Sequence, residues 1–279
     1  MKFNVNARSA DMRRPVHTFL GDETVSTATY EKLVFAGYVS TVSTLYGVAN
    51  GAGLHIDAET FERWKRVASA SGLVDDFLDD SEDAAAARRY YLAHLDSYAE
   101  DLTAPLQGQS DDLRDSLLLL KNSIAPMPYE RKHSLVRAAR GVGMAAVEKA
   151  FCDDIYEYVD MLHEEGRATA RLAAEAATEE VRAQEGYEAF TRWCISAIEA
   201  ATLLDHARDL GRDYEAGVTK VEPSAKRSIF IARAAMRPLG EIFIGQQMLR
   251  ATAGGLGSRL RFSVLPTKLA MKTASVERV

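Results

Sequence analysis

Apolar residues recur along this chain at the three-to-four spacing of helices, and no stretch alternates in the manner of a strand. Residues 1–20 are irregular, and Arg13-Arg14-Pro15 marks a flexible arm. Tyr30 to Ala49 is apolar and rich in small residues, which predicts a buried helix that allows close approach, ended by Asn50-Gly51-Ala52-Gly53. Asp57, with Thr60 nearby, is placed to start the next helix, whose Phe61, Trp64, Val67 and Ala68 keep helical spacing. Gly72 then puts Val74-Asp75-Asp76-Phe77-Leu78-Asp79-Asp80 at the end of that helix or just past a kink. Further helices are expected over Ala84–Leu102, Asp111–Lys121 and Tyr129–Glu165, the last kinked around Gly141-Val142-Gly143. Gly166 allows another break before a surface-type helix from Arg167 to Glu185, and Gly186 separates that from Tyr187–Arg212. This last segment is apolar on nearly all sides and reads as the central helix. Pro223 starts a helix that reaches about Arg250 with a kink at Pro238, and Gly254-Gly255-Leu256-Gly257 ends it. The pattern predicts a single all-α domain over 21–257, a bundle of about eight to ten helices, between the arm (1–20) and a basic C-terminal tail (258–279).

Composition narrows the class. The 279 residues are 47% hydrophobic and 27% charged, ample for a core, and only seven are proline. A net charge of −6 argues against a general nucleic-acid binder. No apolar run approaches the roughly 20 residues of a membrane span, and residues 1–15 hold no apolar signal region. Cys152 and Cys194 lack zinc-type spacing. A cytoplasmic protein with two reduced cysteines is the expectation.

The chemistry concentrates in two aspartate ladders. Residues 75–80 hold four carboxylates and Asp83 adds another; Asp75, Asp79 and Asp83 share one helical face, with Asp76 and Asp80 beside them. Like charges at this spacing repel, and oxygen-only ligands on one face suit Mg²⁺ with a phosphate-bearing substrate. A solvated acidic helix end accounts for this cluster equally well when it is taken alone. The second ladder, Asp205, Asp209 and Asp213, ends the central apolar helix, again at i, i+4 and i+8. Ion pairs with Arg208 and Arg212 explain one such face as a plain surface; they explain two ladders in one chain less well. Facing each other across a bundle, the ladders would make a polynuclear Mg²⁺ site bridged by diphosphate, with Arg208, Arg212 and Lys220 near enough in sequence to contact its oxygens.

These residues resemble the class I terpenoid synthase superfamily. Asp75-Asp76-Phe77-Leu78-Asp79 matches its DDxx(D/E) motif, and the second set begins 130 positions later. Asp205, Asp209 and Asp213 occupy the register of the cyclases' second motif, Asn/Asp, Ser/Thr, Glu, with Arg212 in its basic position; Asp209 and Asp213 depart from the residue types expected there. Asp205-His206-Ala207-Arg208-Asp209 matches the DxxxD of the squalene and phytoene synthase branch directly, although that branch's tyrosine-rich and Val-Ala-Gly signatures are missing. The cyclases' C-terminal Arg-Tyr pair is missing too, Arg261-Phe262 coming nearest, while Gly166 with Arg167, or Arg171, falls where their arginine sensor lies.

The resemblance implies an all-α bundle around a central cavity and an enzyme of isoprenoid biosynthesis that ionises an allylic prenyl diphosphate of the farnesyl or geranylgeranyl class. It implies three Mg²⁺ ions held with diphosphate by Asp75, Asp76, Asp79, Asp205, Asp209 and Asp213, and diphosphate contacts from Arg208, Arg212 and Lys220. The product is then a terpene, cyclised in the cyclase branch, and a homodimer is common in the superfamily. Wall residues for a carbocation would come from Phe35, Tyr38, Tyr46, Phe77 and Trp193, which serve equally as plain core. The alternatives are a squalene/phytoene synthase-like prenyltransferase and a non-catalytic helical protein with surface acidic faces.

Overall fold

The structure, a computed structural model, describes residues 53–79 and 123–242 with a few isolated positions between 42 and 121; at Ser69 and 72–79 only the backbone is described. The arm, the tail and most of the helices expected over Tyr30–Ala49, Ala84–Leu102 and Asp111–Lys121 lie outside the described residues. Six helices are described: α1 (Ala58–Asp79), α2 (Tyr129–Phe151), α3 (Ile155–Glu175), the single turn α4 (Glu179–Arg182), α5 (Tyr187–Glu215) and α6 (Ala225–Ala234). No strand occurs among the described residues.

α3 packs between α2 and α5, and α5 also carries α6. Trp193, Leu203 and Leu204 of α5 meet Tyr158 and Leu162 of α3 and Leu135 of α2 in one core, each at most 2% exposed. The N-terminus of α1 is tied to the far end of α3. The Asp57 carboxylate accepts from the Thr60 backbone N–H at 2.6 Å and from the Thr178 hydroxyl at 2.5 Å. One turn on, Trp64 Nε1 donates to the Ala173 carbonyl at 2.8 Å. A single residue thus caps one helix and fastens it to another.

Several boundaries differ from expectation, each for a local reason. α2 runs straight through Gly141 and Gly143, and the break falls instead at residues 152–154. There the Asp154 side chain accepts from the backbone N–H groups of Tyr156 and Glu157, so an N-cap starts α3 afresh. α1 passes through Gly72 without interruption and carries Asp79 as its last residue. α6 stops at Ala234, and helical structure resumes over 236–242; Pro238 lacks the N–H that would bond the Ala234 carbonyl.

Gly166 also lies within a helix, and close approach explains it. A Cβ there would stand 2.6 Å from the Glu199 Cα and 3.2 Å from its N, so α3 and α5 touch backbone to backbone at this point. Gly166→Ala is expected to lower unfolding free energy by about 1–3 kcal/mol as the helices are forced apart. Gly141→Ala should instead gain about 0.5–1 kcal/mol of helix propensity, because its new methyl meets only the Ala168 Cβ at 3.5 Å. Urea midpoints of the two variants, moving in opposite directions, check this.

Candidate functional site

α5 is closed by packing on most of its circumference but leaves one stripe half-open. Thr191, Ile195, Ile198, the neighbours Ala201 and Thr202, Asp205 and Asp209 are all half-buried, and from one turn to the next they are three or four residues apart. At its lower end, Thr191 borders a cavity of ≈ 10 Å³, room for about one water, shared with Trp64, Ala170, Ala173, Tyr187, Phe190 and Cys194. This floor is packed, while the upper end of the stripe changes from apolar residues to carboxylates. Trp193, named above as a wall candidate, faces the core instead and stacks on Phe190 at 6.5 Å. Tyr46 packs on Phe61 at 4.8 Å. Phe35 and Tyr38 lie outside the described residues, as does the Phe77 side chain.

The three aspartates of α5 are in different environments. Asp205 is the most open, its side chain 47% exposed and 3.4 Å from Arg208 Nη1. Asp209 accepts from Arg208 Nε at 2.8 Å and Nη2 at 2.6 Å, and from Arg212 Nη2 at 3.2 Å. The Arg208 hydrogen bond outweighs partial burial and holds the Asp209 carboxyl below its ordinary pKa. Asp213 turns inward, buried, with Oδ2 3.3 Å from His206 Nδ1. Arg208 and Arg212 are largely exposed. Lys220 caps a different feature, its Nζ 5.1 Å from the centre of the Phe151 ring.

As donors, the carboxylates of Asp205 and Asp209 fit a hard cation such as Mg²⁺, the Asp209 oxygens being held by arginines of the same helix. Asp213 fits poorly, being buried against His206. Among the residues whose side chains are described, no three His, Cys, Asp or Glu groups stand together as a metal site. The side chains of Asp75, Asp76 and Asp79 are not among them.

The backbone also fixes the direction of α1 against α3. Thr60 meets Thr178 and Trp64 meets Ala173, so α1 runs antiparallel to α3. From Trp64 to Asp79 is fifteen residues, about 22 Å of helix, and fifteen residues back from Ala173 on α3 is Tyr158. The Tyr158 hydroxyl lies 3.3 Å from His206 Nδ1, the residue following Asp205.

Two polar clusters between the helices were not anticipated from the sequence. In one, Lys149 of α2 donates to both oxygens of Glu165 on α3, at 2.8 and 3.1 Å, and its Nζ lies 3.1 Å from His206 Nε2. Burial disfavours the Glu165 carboxylate, but chiefly the Lys149 charge holds its pKa far below normal. In the other, the buried Glu199 accepts from His163 at 2.6 Å and Arg167 at 2.9 Å. A lone charge in an apolar run was the available signal for Glu199, between Ile198 and Ala200-Ala201; Lys149, next to Glu148, gave none.

No family model matches the sequence, and no curated protein matches it. The structure does match a solved one. The crystal structure of linalool/nerolidol synthase from Streptomyces clavuligerus, in complex with 2-fluorogeranyl diphosphate, superimposes with a TM-score of 0.55 over 96% of both chains, at 13% identity. The chain therefore has an all-α fold similar to that of a class I terpene synthase. Among the described residues no helix is long and apolar enough to cross a membrane.

Proposed function

We propose that this chain is a Mg²⁺-dependent class I terpene synthase that ionises an allylic prenyl diphosphate and releases diphosphate. The observation that supports the reading is the half-open stripe of α5, largely apolar below and ending in Asp205 and Asp209, in a chain whose α1 ends in a second aspartate set. An apolar chain beneath an anionic head matches that polarity. Asp75, Asp76 and Asp79 would hold Mg²⁺ from one side, and Asp205 and Asp209 from the other. When bound, Mg²⁺ supplies the positive charge that stabilises diphosphate as a leaving group. Arg208 and Arg212 would leave Asp209 to hydrogen-bond the diphosphate oxygens. Ile195, Ile198 and Ala201 would line the hydrocarbon side and keep water from the cation.

A prenyltransferase of the squalene/phytoene type is the second reading, favoured by the DxxxD register of Asp205 and Asp209. Incubation with geranyl, farnesyl and geranylgeranyl diphosphates plus Mg²⁺ separates the two. Diphosphate release with a product of unchanged carbon number is expected, and a doubled carbon number selects the prenyltransferase. No turnover, together with no Mg²⁺-diphosphate effect on thermal stability, would leave the ladders as ion-paired surface.

A further inference from the structure

The inward member of the α5 ladder belongs to a buried cluster drawn from three helices. His206 and Asp213 come from α5, Tyr158 and Glu165 from α3, and Lys149 from α2. With Lys149 against Nε2, the neutral His206 ring carries its proton on Nδ1, where Asp213 Oδ2 accepts it at 3.3 Å; the imidazolium presents the same N–H. The backbone of Asp213 is fixed as well, its carbonyl accepting from the N–H of Val218 at 2.8 Å and of Thr219 at 3.3 Å. Turning Asp213 outward to a metal would strip the Nδ1–H of its carboxylate acceptor within this cluster. Asp209 differs, since its carboxylate is held by Arg208 and Arg212, exposed residues of its own helix; Arg212 also lies 3.6 Å from Asp213 Oδ1, but the Oδ2 of Asp213 is spent on the buried ring.

We infer that Asp213 is a positioning residue and not a metal ligand: it anchors the C-terminal half of α5, through His206, to Lys149 and Glu165, and leaves Asp205 and Asp209 as the two carboxylates that α5 offers a Mg²⁺-diphosphate complex. This deepens the terpene synthase reading and rests on it. A ligand and an anchor fail differently. Loss of a ligand removes a metal donor, whereas an anchor is restored by any substitute that still accepts from His206.

The test uses the full chain, Mg²⁺ and inorganic diphosphate, with affinity read from the ligand-induced rise in Tm and from Mn²⁺ electron paramagnetic resonance. Asp209→Asn is expected to weaken binding by about tenfold or more, and Asp213→Asn, whose amide oxygen still accepts from His206, by less than about twofold. Should Asp213→Asn not hold the native circular dichroism, Asp213→Thr, whose hydroxyl can also accept from His206, carries the same comparison. His206→Gln, which can still donate to Asp213, should retain more kcat than His206→Leu. A folded Asp213 variant that loses Mg²⁺-diphosphate binding as Asp209→Asn does overturns the inference and leaves the enzyme reading standing. Equal kcat in the two His206 variants also overturns it. A wild-type protein with no response to Mg²⁺ and diphosphate brings down the enzyme reading, and this inference with it.

Discussion

Asp209→Ala should reduce prenyl diphosphate turnover by at least about a hundredfold, as loss of a group that stabilises a leaving anion does, while Tm hardly moves. The combination follows from where Asp209 sits. Its partners Arg208 and Arg212 lie on its own helix and are 58% and 73% exposed, so both return to water when the carboxylate is removed. Exposed pairs of this kind contribute about 0–1 kcal/mol. Asp76→Ala, in the last two turns of α1, should lose turnover to a similar degree. The measurement is steady-state diphosphate release beside a thermal melt of each variant. Near-full activity in either would show that its ladder does not take part. A parallel collapse of activity and fold would mean that Asp209 is structural, although its arginine partners are exposed residues of its own helix.

What the chain revealed in one dimension and what it withheld follow from the physics of each feature. Helical register is local: Asp205, Asp209 and Asp213 must lie on adjoining faces of any helix that contains them, and α5 shows them there. The caps at Asp57 and the interruption near Pro238 are local too. Glycine is not, because it marks either a break or a place where another backbone comes near. At Gly141 and Gly166 the helices continue, and only the position of Glu199 on α5 explains the second of them. The charge clusters are less local still. Lys149, Glu165 and His206 belong to three helices, and nothing in their spacing announces that they meet. Register also does not reveal that one ladder member turns inward, since the choice between solvent and His206 is made by neighbouring helices.

Lys149→Met should be the most destabilising change among these residues, lowering unfolding free energy by about 3–5 kcal/mol, the usual cost of leaving a buried charge without its partner. Lys149 is 4% exposed, and its ammonium bonds both Glu165 oxygens. Methionine fills the space but leaves the carboxylate with His206 alone. Removing both charges, as in Lys149→Met with Glu165→Leu, should recover most of the loss, because an apolar pair carries no desolvation penalty. Urea denaturation of the two single variants and the double variant gives the coupling. The same carboxylate sets a pH dependence. Its pKa is depressed in the folded chain from an ordinary 4.5, so its contribution is complete above that value and is lost as pH falls below it. Glu199, also depressed once His163 and Arg167 outweigh its burial, adds in the same direction. Wild-type stability should therefore fall on acidification below about pH 4.5, and more steeply than that of the double variant, which has no Glu165 to protonate. Equal acid limbs in the two proteins would mean that Lys149 and Glu165 do not interact in solution as they do in the fold.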